Sequence, residues 1–416
     1  MNNIQITELD NGVKIVTEKI PYLQSFSLGF WFNVGSRDEN NNNNGIAHFI
    51  EHMLFKGTKK RTAKQISDSI EAYGGYLNAF TSKEHTCFYG RGLSKNIERT
   101  FEVISDMVQN PLFKESHIKK ESGVVLDELL DIHDNPEELI FDKFEEILFK
   151  GSPLAYPVIG KEANIKKYSS KELIEFHNKF YGNNNLLIAC SGAVEHERII
   201  ELAKKYIQPE RNSKGIRKYQ KFETHPFIKV IEKEIQQVHC IIGRGTYGYK
   251  DDQRLLLNML SNLIGDGSSS RLFQAVREKL GITYQINSFV NSYFDKSAFG
   301  IYFSTNEKYV ERVLSIVTKE LNKLIENKVS ERELKRVKEY LKGSMLLSLE
   351  NTSNRMIRIA NSVLYFNKII PIEELIKRID SVTSEQILEL SKDLLKEDEL
   401  ARIIIRAKNN NGALAA

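Results

Sequence analysis

The order of sequence patterns in the first half of the chain recurs in the second, and that recurrence restricts the possible folds more than any other feature. Residues 12–16 and 25–34 are short alternating apolar runs, as half-buried strands are. Residues 35–39, then the five asparagines Asn40–Asn44 and Gly45, break regular structure as a solvated loop does. Helical spacing covers 46–55 and 63–73, and Gly74-Gly75 marks the switch to a strand-like segment over 76–90. Helical patterns at 94–109, 115–131, 136–149 and 170–180 precede a strand at 186–191 and a closing helix at 195–207. The second half runs strand (238–243), helix (252–263), Gly/Ser loop (265–270), helix (271–280), strands (283–290 and 299–305) and long helices (309–346). It also closes on a helix, 384–395, and a strand, 401–406, before a frayed tail over 408–416. We expect an α+β fold of two homologous domains, 1–211 and 212–416, divided in the polar stretch 212–219.

Composition excludes several functional classes. The chain has 59 basic and 55 acidic residues and a formal charge of +4, without the one-sided basic block that a phosphate backbone would need, so no nucleic-acid partner is expected. Cys87, Cys190 and Cys240 are sparse and form no C-x-x-C pair, which argues against a disulfide frame and a thiolate zinc site and for a reducing compartment. The N-terminal residues do not read as a secretory or transit peptide, and no apolar run approaches the ~18 residues of a spanning helix. A cytoplasmic location with no membrane association is the expectation.

The chemistry concentrates in His48-Phe49-Ile50-Glu51-His52. On a helix His48 and His52 lie one turn apart with Glu51 beside them, so two imidazoles and a carboxylate face one side. Catalytic zinc takes three protein ligands and keeps a position for water. The third ligand must come from another packed element and be deprotonated at neutral pH, which suits a carboxylate. Glu128 is the best candidate, and Glu121, seven residues earlier on the same helix face, could orient a ligand. Glu51 is then spare to move a proton. Each group has a plainer reading: a buried histidine is also a hydrogen-bonded core residue, and Glu121 and Glu128 are also a solvated helix face. In the second half the matching stretch, near 256–260, has no histidine, so metal chemistry belongs to the first half alone.

The string from His48 to Thr58, H-F-I-E-H-M-L-F-K-G-T, resembles the signature of the inverzincin peptidases, the pitrilysin, insulysin and mitochondrial-processing-peptidase group. The likeness extends to Gly35-Ser36-Arg37-Asp38-Glu39, to residues 74–81, to the Glu121–Glu128 segment and to 269–284. The length resembles the short two-domain branch. What the resemblance implies is an α+β fold whose two domains each hold a mainly antiparallel sheet of about five to six strands packed with helices, together enclosing a chamber. It implies one Zn2+ per chain on His48, His52 and Glu128, with Glu51 as the base and Glu121 as its supporting acid. Arg277 and Tyr284 resemble the family's pair that donates hydrogen bonds to the developing oxyanion, although alone they read as a surface charge and a packed strand residue. Asn78, Ala79 and Phe80 match the edge strand that binds peptide, Phe55 a pocket for the residue after the cut, and Glu138 and Asp142 carboxylates that read a nearby arginine. Glu138 and Asp142 are also plain solvated-face acids, and the strand a protected edge. Asp127 before Glu128 and Asp266 in the glycine loop depart from the family pattern. The expected protein is a zinc endopeptidase cleaving unfolded peptides or presequence-like segments within a closed chamber, as a self-sufficient homodimer. The rivals are a non-catalytic scaffold of the same fold and a peptide-holding chaperone.

Overall fold

The computed structural model describes residues 3–209, 211–215, 217, 219 and 221–408; the expected tail lies, apart from Lys408, outside them. Strands β1 (Ile4–Glu8), β2 (Lys14–Lys19), β3 (Ser25–Phe32), β4 (Tyr76–Thr81), β5 (Thr86–Leu93) and β6 (Leu186–Gly192) form one sheet in the order β1-β2-β6-β3-β5-β4. Strands β7 (Ile228–Lys233), β8 (Val238–Tyr247), β9 (Thr283–Ser292), β10 (Lys296–Thr305) and β11 (Ala401–Ala407) form a second, in the order β7-β11-β8-β10-β9. In the first sheet β2 and β6 pair in parallel and every other pair is antiparallel. In the second, β7 and β11 are the parallel pair. Matching β2 to β6 with β7 to β11 in turn reproduces the same spatial order and strand directions. The duplication read from pattern order is therefore a duplication of topology, with β1 the addition.

Each sheet belongs to a compact unit, and the units are not contiguous in sequence. The first comprises Met1–Leu130, Tyr156–Tyr219 and Leu346–Ile370; the second comprises Asp131–Ala155, Gln220–Met345 and Pro371–Ala416. A single cut between 211 and 212 does not describe this arrangement. The helix Thr352–Phe366 lays Met356, Ile359, Ala360 and Val363 over Val16, Trp31, Leu187 and Ala189 of the first sheet. Reciprocally, Pro136–Leu148 lays Ile140, Phe144 and Leu148 over Ile241, Tyr302, Ile403 and Ile405 of the second. Each sheet thus takes a covering helix from the other half of the sequence. Apolar spacing reveals that a helix has a face to bury but not which sheet buries it.

In the first unit the opposite face is covered by helices that include Ile46–Leu54, Ala63–Glu71 and Ile97–Gln109. Phe26, Leu28, Phe30, Trp31 and Phe32 of β3 are all buried, as a strand covered on both faces requires. The segment expected as one strand over 76–90 is a hairpin, because residues 82–85 turn it back on itself. β1, β7 and the helices Thr352–Phe366 and Ile372–Ser381 were not evident from patterning. All three cysteines are free and buried. Among the described residues no helix is long and apolar enough to cross a membrane.

Candidate metal centre

The helix Ile46–Leu54 packs its apolar residues Ile46, Ala47, Phe49, Ile50, Met53 and Leu54 into the core and carries His48, itself buried, with Glu51 and His52 on its remaining side. The two imidazole rings stand 4.6 Å apart at 70° to one another. The long helix Glu115–Asp134 brings Glu128 to them: Oε1 lies 3.9 Å from His48 Nε2, and Oε2 lies 3.5 Å from His52 Nε2. One ligand atom from each of the three residues falls within 4.8 Å of the others. Ligand atoms held tetrahedrally at about 2.1 Å from one zinc ion are roughly 3.4 Å apart, so the two carboxylate–imidazole separations, at 3.9 and 3.5 Å, are close to that spacing.

Each histidine offers a separate test of fit. His52 Nδ1–H donates to Glu121 Oε1 at 3.0 Å, which leaves the Nε2 lone pair directed toward Glu128. Glu121 is buried, and its other oxygen lies 2.7 Å from Lys56 Nζ. His48 is almost wholly buried, yet its Nδ1 has no hydrogen-bond partner among the described residues and its Nε2 meets only Glu128, at 3.9 Å. A hydrogen-bonded core histidine would show a donor or acceptor here. Two imidazole nitrogens and a carboxylate converging here are a donor set that fits zinc; coordination through His48 Nε2 would leave its Nδ1 still without a partner.

Titration follows the same geometry. Burial, with the neighbouring His52 charge, pushes His48 down to about 4, so the ring is neutral and able to bind metal at physiological pH. Burial acts on His52 in the same direction but is outweighed by the Glu121 hydrogen bond and the nearby carboxylates, which raise it. Against burial, the hydrogen bonds from His52 and Lys56 hold Glu121 below the usual carboxylate range. Glu51 is raised, first by burial and also by Glu128, against a hydrogen bond from Thr81 and the charge of His52. Thr81 Oγ1, at the end of β4, donates to Glu51 Oε2 at 2.6 Å. A carboxyl held near the ligands but outside the trio, with its proton affinity raised, can take a proton and return it.

The remaining expected residues fall in two places. Asn78, Ala79 and Phe80 lie on β4, an edge strand paired only with β5; Asn78 Oδ1 accepts from Ala79 N–H at 2.8 Å, and Asn78 Nδ2 donates to the Tyr76 hydroxyl. Phe55 closes the metal helix, half-buried against the cluster of Ile66, Ile70, Val103 and Met107. The second unit holds the others. The Arg277 guanidinium lies 5.4 Å from the Tyr284 ring, and Tyr284 is 79% exposed on the edge strand β9. Glu138 and Asp142 share a face of the helix Pro136–Leu148, and Glu138 Oε1 accepts from Asn135, the residue that caps it. Sequence reasoning missed Thr81 and Lys56. Lys56 sits one helical turn past His52, a spacing that could have suggested its pairing with the acid that supports that histidine.

A two-sheet, duplicated α+β architecture with an inverted His-x-x-Glu-His helix and a distant glutamate defines a class of metallopeptidases. Residues 14–162 match the insulinase family, peptidase family M16, and residues 167–341 match the peptidase M16 inactive domain. The chain belongs to peptidase family M16. It is similar to an uncharacterized zinc protease of Rickettsia felis, 33% identical over 408 residues that cover 97% of each chain. It is likewise similar to the uncharacterized zinc protease YmxG of Bacillus subtilis, 32% identical over 399 residues, covering 96% of this chain and 97% of that one. Two crystal structures share the fold: a protease from Helicobacter pylori, with a TM-score of 0.92 at 21% identity, covering 98% of this chain and all of that one; and a peptidase M16 inactive domain from Pseudomonas fluorescens, with a TM-score of 0.91 at 21% identity, covering 98% of each.

Proposed function

We propose that this chain is a zinc-dependent endopeptidase that cleaves unfolded peptides. The observation that carries the reading is the convergence of His48, His52 and Glu128 on one point, with Glu51 beside them and outside the trio. Bound there, zinc would supply Lewis acidity, polarising the scissile carbonyl and making water more acidic. The chain's own residues do the rest. Glu51, oriented by Thr81, takes a proton from the attacking water as the new C–O bond forms. It then passes that proton to the amine as the C–N bond breaks. Glu121 keeps the His52 proton on Nδ1. The open edge of β4 accepts an extended peptide through main-chain hydrogen bonds, which favours unfolded substrates over any particular sequence. Arg277 and Tyr284 are the donors this reading assigns to the oxyanion, and Glu138 and Asp142 its readers of a basic side chain. One zinc per chain and a homodimer complete the proposal.

The test compares the wild type with Glu51→Gln. Zinc content should be equal, because Glu51 is not a ligand, while cleavage of an unstructured peptide falls by about 10²–10⁴-fold. Wild type that holds zinc but cleaves none of a peptide panel would favour the scaffold or peptide-holding reading. The same panel, with and without arginine near the cut, tests Glu138 and Asp142: equal cleavage removes their assignment.

A further inference from the structure

The helix that carries His48, Glu51 and His52 begins without a cap of its own. Its first flanking residue, Gly45, has φ +103°, and a side chain there would fall 2.8 Å from the Cα of Gly160. Gly160, at φ +87°, would place its own Cβ 2.4 Å from the Cα of Gly45. Two backbones meet where neither residue can bear a side chain, so the usual serine, threonine or aspartate cap cannot be present. The first turn also contains no acidic residue.

Glu39 fills that role from outside the helix. Its Oε2 accepts from Gly45 N–H at 2.7 Å and from Asn44 Nδ2 at 2.8 Å, and its Oε1 accepts from Ala47 N–H at 2.8 Å. The residue is buried, and its acid faces the positive end of the helix dipole. Its neighbours in Gly35–Glu39 are held as firmly. Asp38 takes two hydrogen bonds from Arg217, with both side chains 3% exposed. Arg37 pairs with Glu84 at 2.7 Å, both 2% exposed, in the turn that follows β4. Thr81, which orients Glu51, ends that strand. One short segment therefore ties the start of the metal helix to the hairpin whose threonine meets Glu51.

We propose that Glu39 is a positioning residue of the metal centre: by holding Gly45 N–H and Ala47 N–H it fixes the placement of the helix along its axis, and so the meeting of His48 and His52 with Glu128. The inference rests on the zinc-peptidase reading above. In Glu39→Gln one acceptor oxygen becomes an NH2 group that must face either Ala47 N–H or the two donors on Oε2. Donor then opposes donor and the helix start shifts.

The experiment measures zinc affinity by competition with a chromophoric chelator, together with kcat and KM, for wild type, Glu39→Gln, Glu39→Asp and Glu145→Gln. Glu145 is the control, a buried glutamate of the second unit that accepts from Asn291 and from the Tyr293 hydroxyl. Glu39→Gln should weaken zinc binding by about tenfold and lower kcat with KM little changed. Glu145→Gln should reduce thermal stability without altering zinc affinity. Glu39→Asp keeps the carboxyl group but cannot span both N–H groups, so it should move zinc affinity in the same direction by less, and it serves if the Gln variant does not fold. Zinc affinity and kcat equal to wild type in a folded Glu39 variant overturn the positioning role and leave the peptidase reading intact. A wild type that binds no zinc overturns both.

Discussion

Replacing Glu121 by Gln separates the two tasks that its carboxylate performs at once. One oxygen accepts from His52 Nδ1–H at 3.0 Å and the other meets Lys56 Nζ at 2.7 Å. An amide cannot serve both. If its oxygen stays on His52, its NH2 points at an ammonium; if its oxygen turns to Lys56, its NH2 faces His52 Nδ1 and drives the imidazole proton to Nε2, the atom 3.5 Å from Glu128. The lysine charge favours the second orientation, and in that tautomer Nε2 has no lone pair to offer a metal. Partners of metal-bound histidines are worth about 10–100-fold in metal affinity, or roughly 1.4–2.7 kcal/mol. Chelator competition at pH 7.5 should show zinc affinity of Glu121→Gln lowered within that range. Adding Lys56→Met removes the pull on the amide oxygen, so the double variant should bind zinc more tightly than Glu121→Gln alone. The reasoning fails if the single variant binds zinc within twofold of wild type, or if the second substitution brings no recovery.

The parts of the fold legible in sequence were those set by local periodicity. The helix Ile46–Leu54 and strand β3 carry their apolar spacing openly, and the order of such segments exposed the duplication that the two sheets display. Partner choice was not legible. Thr352–Phe366 and Pro136–Leu148 each have a buried face, but which sheet receives it depends on contacts between distant parts of the chain. At the site, His48, Glu51 and His52 were given by their spacing on one helix, and Glu128 by the need for an anionic third ligand. Thr81 meets Glu51 through one hydrogen bond between separate elements, and Glu39 reaches Asn44, Gly45 and Ala47 from the loop before the helix, at spacings that no periodic pattern encodes. The Asn40–Asn44 run, expected as a plain solvated loop, ends in Asn44, which is buried and donates to Glu39 and to the Pro157 carbonyl. A run of identical residues conceals the one that is buried, because composition averages over positions whose environments differ.

Two further outcomes concern stability. Gly160→Ala combines a positive φ with a Cβ 2.4 Å from the Cα of Gly45, and it should cost about 2–4 kcal/mol in urea unfolding; a loss below about 0.5 kcal/mol would mean that the two backbones can move apart. His177 gives a pH dependence of definite sign. It is fully buried between the Val108 carbonyl, 2.9 Å from Nε2, and Arg211, whose Nη2 lies 3.0 Å from Nδ1. Burial, and then the Arg211 charge, lower it to about 3, whereas an unfolded histidine titrates near 6.5. Between those values the unfolded chain binds more protons, so the contribution is complete above about pH 6.5 and is lost as pH falls toward 3. At pH 4.5 the loss is roughly 2–3 kcal/mol. Glutamine at this position can donate to Val108 and accept from Arg211 without titrating. The difference in unfolding free energy between pH 7 and pH 4.5 should therefore be smaller in His177→Gln by about that amount, and equal pH dependence in the two proteins would show that the native protein protonates this ring as readily as the unfolded chain does.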